Sequence, residues 1–129
     1  LTDYLKRSDQ AYQRADGDVR DVQAVASGPA LGEVQATAAE LQSTEQRQIG
    51  TVVQRGLDVR DVNVAHNPPL VSLEVCLSAD DVQIVDSSGE VVVARTDDNS
   101  RTTAHLYGVE FHNGAWLVSS HSFPTTAGC

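Results

Sequence analysis

Four histidines (His66, His105, His112, His121), two cysteines (Cys76, Cys129) and three serines flanking His121 are the side chains here best suited to metal or nucleophilic chemistry. A metal ion needs several ligands converging within a few ångströms, so the strands that carry these residues decide the matter. Asn113-Gly114, set between two β-branched and aromatic segments, is the strongest hairpin signal in the chain. A two-residue loop there pairs His112 with Ala115 and Phe111 with Trp116. Continued down the strands, it sets Val109 opposite Val118 and Tyr107 opposite Ser120. His105 and His121 then face opposite sides. His112 shares a side with His121 but lies six paired rows away, about 20 Å. No metal centre is expected from this register, and His66 is left unplaced. Ser119, Ser120 and Ser122 have no evident orienting acid and no G-x-S-x-G context, so a nucleophilic serine is not expected either. Asp97-Asp98-Asn99 lacks the spacing of a calcium loop and reads as a solvated turn.

Cys76 lies mid-strand, where a lone cysteine is usually a small buried hydrophobe, whereas Cys129 is the last residue. A bond between them would fasten the tail to the sheet and close a loop of about 53 residues, roughly 4 kcal/mol in the chain-entropy picture. We expect that bond, and with it an oxidising compartment.

The elements that position these residues divide the chain in two. Leu1, Leu5, Tyr12 and Ala15 recur near helical spacing and predict a first helix ending near Gly17. Val19, Val22, Val25 and Ala26 predict a second, short one after Asp18. Pro29 suits the first turn of a third, whose stripe is Leu31, Val34, Ala38, Leu41 and Ile49. From Gly50 the composition turns β-branched, with turn signals at strand spacing. In residues 70–78, LVSLEVCLS, Val71, Leu73, Val75 and Leu77 line one face and Ser72, Glu74 and Cys76 the other. The hairpin side bearing Tyr107, Val109, Phe111, Trp116 and Val118 reads as a core face under the helices. The pentapeptide DVRDV occurs at 18–22 and again at 58–62. Its flanks make the first copy helical and the second extended, with a parity change in mid-strand that a bulge would produce. No further copy follows, so the chain is not a repeat array.

The expected fold is therefore α+β, one domain over residues 1–129: helices within about 2–48, sheet within about 50–123, and a tail to Cys129. The formal net charge is −9 with only nine scattered basic residues, which excludes nucleic acid as a natural partner. No apolar run is long enough to span a membrane. The absence of any Met, with Leu at position 1, predicts that an upstream piece, such as a signal peptide or membrane anchor, has been removed.

Residues 71–90 (VSLEVCLSADDVQIVDSSGE), 105–122 (HLYGVEFHNGAWLVSSHS) and the terminal Cys129 resemble the nuclear transport factor 2-like superfamily, above all its exported, lipoprotein-type bacterial branch. The likeness covers about the last 60 residues in motif and the whole chain in element order. It implies three helices packed on a curved, mostly antiparallel sheet, forming a cone. It also implies an extracytoplasmic domain, secreted or anchored at the envelope, that binds a small apolar ligand or a protein partner and can dimerise through the outer sheet face. The expected pocket residues are Tyr107, Val109, Phe111, Trp116 and Val118. An alternative reading is a SnoaL-like isomerase, hydratase or cyclase working in the cone, for which His105, Tyr107 and Asp86 are the candidate catalytic residues. A second alternative is a component domain of a secretion or conjugation apparatus. A fold of this kind serves enzymes and non-enzymes alike. No cofactor is implied, and no residue set matches the family's catalytic pattern in full.

Overall fold

The computed structural model describes residues 1–93, 102–125 and 129, without the side chain of Val93. The expected loop at 96–101 lies outside the described residues. Three helices come first: α1 (Thr2–Arg14), α2 (Arg20–Gln23) and α3 (Gly28–Ser43). Among the described residues seven strands follow: β1 (Arg47–Ile49), β2 (Val53–Asn63), β3 (Leu70–Ser78), β4 (Gln83–Val85), β5 (Val91–Val93), β6 (Thr102–His112) and β7 (Ala115–Ser122). The fold is α+β, as its sequence predicts. The strands, however, make two sheets: an antiparallel four-stranded one in the order β2-β3-β6-β7 and a small one in the order β1-β4-β5. Strand structure also begins at Arg47, inside the stretch expected to be helical.

Helix α1 turns Tyr4, Ser8 and Ala11 into the protein and stops at Ala15, which takes a left-handed conformation two residues before Gly17. The first DVRDV forms α2. The Asp18 carboxylate accepts the Arg20 backbone N–H at 3.0 Å and pairs with its guanidinium, which holds the carboxyl down at about 2. Pro29 occupies the first turn of α3, and Ala30, Val34, Ala38 and Leu41 form its buried stripe. The link between α2 and α3 runs beside β7: Ser27 N–H donates to the Val118 carbonyl at 2.9 Å and Val118 N–H to the Val25 carbonyl at 3.0 Å. That contact anchors the helical layer over the β7 side of the sheet.

The second DVRDV lies in β2, whose ladder to β3 is interrupted at Arg55 and again at Arg60. The interruption at Arg60 is the expected bulge. It carries Leu57, Val59 and Val62 to one face, opposite Val75, Leu73 and Val71.

Hairpin β6–β7 follows the expected register from His112–Ala115 through Phe111–Trp116 to Val109–Val118. Beyond that, Ser119 is an extra residue, so Tyr107 pairs with His121 and not with Ser120. Gly108 makes this possible: a β-carbon there would collide with Ser120 Oγ. Ser119 Oγ, itself buried, donates back to the Gly108 carbonyl at 3.2 Å. Gly108→Val is expected to cost about 1–3 kcal/mol by overpacking. Urea unfolding measures the loss, and NMR ring-current shifts of His121 show whether the bulge survives.

Candidate functional site

The Ser119 bulge reverses the parity of everything after it, and this corrects the expected separation of two histidines. His121 comes to the helix-facing side, where its ring stacks on Tyr107 at 4.7 Å and on His105 at 5.0 Å. Phe123 packs against both imidazoles at 5.0 Å, and Tyr4 from α1 meets Tyr107 edge-on at 5.8 Å. The acid at this cluster is Glu33 of α3. Its Oε1 lies 2.8 Å from His121 Nδ1, and His121 Nε2 lies 2.8 Å from His105 Nδ1. Asp86 takes no part. Its carboxylate accepts from Ser88 N–H and Oγ and from Glu90 N–H, closing the β4–β5 turn, and these bonds hold its pKa low.

The hydrogen-bond chain fixes the tautomers by inventory. A carboxylate only accepts, so His121 donates from Nδ1. The lone pair on its Nε2 then accepts from His105 Nδ1–H, leaving the His105 Nε2 lone pair open among the described residues. One proton added at that end is accommodated without breaking the chain. A second would place two donors face to face. Burial, and then the neighbouring His121, push the His105 pKa below its ordinary 6.5, while Glu33 opposes them. Below pH 6.5 the unfolded chain therefore protonates His105 before the folded one does. Stability is expected to fall as pH drops through 6.5 toward the lower folded value, and His105→Gln should flatten that part of the curve of unfolding free energy against pH.

The same face carries a second feature. Paired residues make largely apolar rows, two across four strands and one across three: Val62-Val71-Val109-Val118, then Val59-Leu73-Tyr107-His121, then Leu57-Val75-His105. Helices cover the β7 side and much of β3, where Val75, Tyr107, Val109 and Val118 are buried. On β2 the cover is missing: Leu57, Val59 and Val62 are 42%, 58% and 57% exposed. The core face expected under the helices is thus only partly covered. Phe111 and Trp116, rings 5.1 Å apart, extend past the Val118 contact at the hairpin end and are 39% and 50% exposed. Of the five expected pocket residues, Tyr107, Val109 and Val118 are core, and Phe111 and Trp116 belong to the open surface.

Sequence reasoning missed Asp9. This buried carboxylate accepts from Gln48 Nε2 at 2.8 Å and from Val52 N–H at 3.1 Å, and burial raises its pKa. It fixes the start of β2 against α1, leaving a cleft of about 360 Å³ lined by Leu5, Lys6, Gln13, Val52 and Gln54 among others. Gln54 pairs with Leu77 and sits on the same face as Leu57, so one wall of the cleft belongs to the face that carries the rows. The opposite face of the sheet carries the Arg60–Glu74 ion pair and the Cys76–Cys129 disulfide, whose Cα atoms are 6.1 Å apart. His112 pairs with Glu110 at 2.9 Å, and His66 Nδ1 lies 2.6 Å from the Pro68 carbonyl. Among the described residues, no cluster of three or more His, Cys, Asp or Glu side chains is arranged to hold a metal ion. None of their helices is long and apolar enough to cross a membrane.

No protein-family model and no curated protein matches the sequence. Among solved structures, the intermembrane space region of the chloroplast protein ARC6 matches over 94% of this chain and 88% of its own, with a TM-score of 0.60 and 17% identity. At that identity the likeness is one of fold. A de novo designed β-sheet protein aligns over 99% of this chain and 92% of its own at 14% identity, but its TM-score of 0.34 carries no argument.

Proposed function

We propose that this chain is a non-enzymatic binding domain of nuclear transport factor 2-like type, working in an extracytoplasmic compartment. The uncovered half of its sheet is the binding surface. One observation carries the reading: apolar rows that are fully buried at Val75 and Val118 continue onto β2, where Leu57, Val59 and Val62 meet water. Exposed apolar side chains scattered singly need no explanation, but a contiguous patch does. The disulfide supports the compartment, because such bonds persist where the surroundings are oxidising.

Nile red tests the surface, since an uncharged dye avoids repulsion from a chain of net charge −9. We expect a saturable fluorescence gain in the native protein and a loss of about tenfold in affinity in Val59→Asp/Val62→Asp. Circular dichroism should be unchanged, because both positions are exposed. Equal dye binding by both proteins overturns the reading.

A second reading, acid–base catalysis of the SnoaL-like kind, is favoured by the Glu33–His121–His105 chain beside Tyr107. It requires turnover of an enolisable ketone that disappears in His105→Ala. A rate no different from buffer for the native protein removes it.

A further inference from the structure

We infer that the occupant of the open face is an amphipathic α-helix with a basic outer side, contributed by a partner; this rests on the binding-surface reading above. The dimensions come first. The uncovered strip is β2 with the flank of β3, where Val71 and Leu73 are half-buried. Two strands are about 10 Å across, the diameter of one helix with its side chains. From Leu57 to Val62, or on to the exposed Val64, the strip runs about 17–24 Å, the length of about 11–16 helical residues. A single helix laid there continues the layer that α1, α2 and α3 begin, with its N- or C-terminal turn directed toward the cleft beside Leu5 and Val52.

Other occupants fit less well. An added strand would need an unbroken ladder along β2, but that edge is bulged at Arg55 and Arg60 and carries Asp58 and Asp61, devices that discourage edge pairing. A second copy of this chain would bring another nine net negative charges to the contact, and an anionic membrane would repel the domain in the same way. Charge complementarity instead selects a cationic partner. Asp58 and Asp61 pair with Glu74 and Ser72, so they lie on the opposite face with the Arg60–Glu74 ion pair; the apolar strip itself is uncharged, and the net charge of −9 sets the sign of the partner. The partner helix is therefore read as Leu- or Ile-striped on one side and rich in Lys or Arg on the other.

The test uses a fluorescently labelled 16-residue synthetic helix with a leucine stripe and a lysine-rich polar side, beside a scrambled peptide of the same composition. Anisotropy titrations compare the native protein with Val59→Asp/Val62→Asp. The inference expects the striped peptide to bind at least about tenfold more tightly than its scramble, an affinity step of roughly 1.4 kcal/mol, and to gain helicity on binding. It also expects binding to weaken in the double variant, although that variant is more negative; attraction by charge alone would strengthen. Striped and scrambled peptides binding alike, or the variant binding as tightly as the native protein, overturns the helix. If Nile red still distinguishes the two proteins in that case, the helix alone is lost and the open surface stands. If Nile red does not distinguish them, both fall. Sedimentation showing a dimer that the same substitutions abolish would replace the helix with a second copy.

Discussion

Cys76→Ser lowers the unfolding free energy by about 2–5 kcal/mol, with about 4 kcal/mol expected for a loop of 53 residues. In a chain of this size that is a fall in Tm of roughly 10–15 °C. The substitution leaves the helix-side core alone, because Cys76 faces away from it, between buried Val75 and Leu77. The protein should therefore still fold, with its far-ultraviolet circular dichroism preserved. Reducing the native protein should reproduce the loss, and adding reductant to Cys76→Ser should change nothing further. Thermal unfolding of native, reduced and Cys76→Ser protein, with and without reductant, gives all four values. Equal Tm with and without reductant in the native protein would mean that the bond contributes nothing. A thiol count on the unfolded, unreduced protein checks that the bond is formed.

Tyr107→Ala has a comparable effect, about 3–5 kcal/mol, because it removes a large buried ring from the middle of the core. Tyr107 is packed from α1 by Tyr4, from β7 by His121 and within the core cluster by buried Val75, while its β3 pair Leu73 is half-buried. The surroundings have little freedom to collapse into the space. Burial also raises its phenol pKa, the Tyr4, Glu33, Tyr12 and Asp9 groups adding to the rise, so the hydroxyl remains protonated at neutral pH. Tyr107→Phe keeps the ring and its contacts, and we expect it to cost less than about 1.5 kcal/mol. Urea unfolding of the two variants separates ring from hydroxyl. Similar losses for both would show that the phenol oxygen, not the packing, is the stabilising group.

What the sequence made legible was set by local chemistry. Asn113-Gly114 fixed its hairpin down to Val109–Val118, since turn type and strand alternation suffice for that many residues. The alternation of Val71, Leu73, Val75 and Leu77 placed the core face of β3, and the flanks of the two DVRDV copies separated α2 from β2. The Ser119 bulge was hidden because it depends on Gly108 leaving room for a side chain across the hairpin, which no single strand reveals. One extra residue then turned His121 to the other side and built the cluster with His105 and Glu33. Glu33 was invisible for a similar reason: a glutamate on the polar side of a helix looks like solvated surface until the helix is docked. The β4–β5 hairpin is legible, because Ser87-Ser88-Gly89 separates two Val-rich runs, but β1 is three residues at the end of the helical stretch, too short for a periodic pattern, so the small sheet that it completes was missed.

The extent of helix cover is the other feature that pattern could not supply. Val59 and Val75 carry the same hydrophobic signal, yet one is half in water and the other is sealed. The difference lies in where the α2–α3 link docks, along β7 at Val118, which leaves β2 from Leu57 onward beyond the reach of the helices.

Methyl NMR with a soluble paramagnetic relaxant tests this half-open face most directly, on protein dilute enough to sediment as a monomer. The Leu57, Val59 and Val62 methyl signals should broaden strongly, while those of Val75 and Val118 stay sharp. Protection of the β2 methyls equal to that of Val75 would mean that the face is closed, and the binding surface described here would not exist.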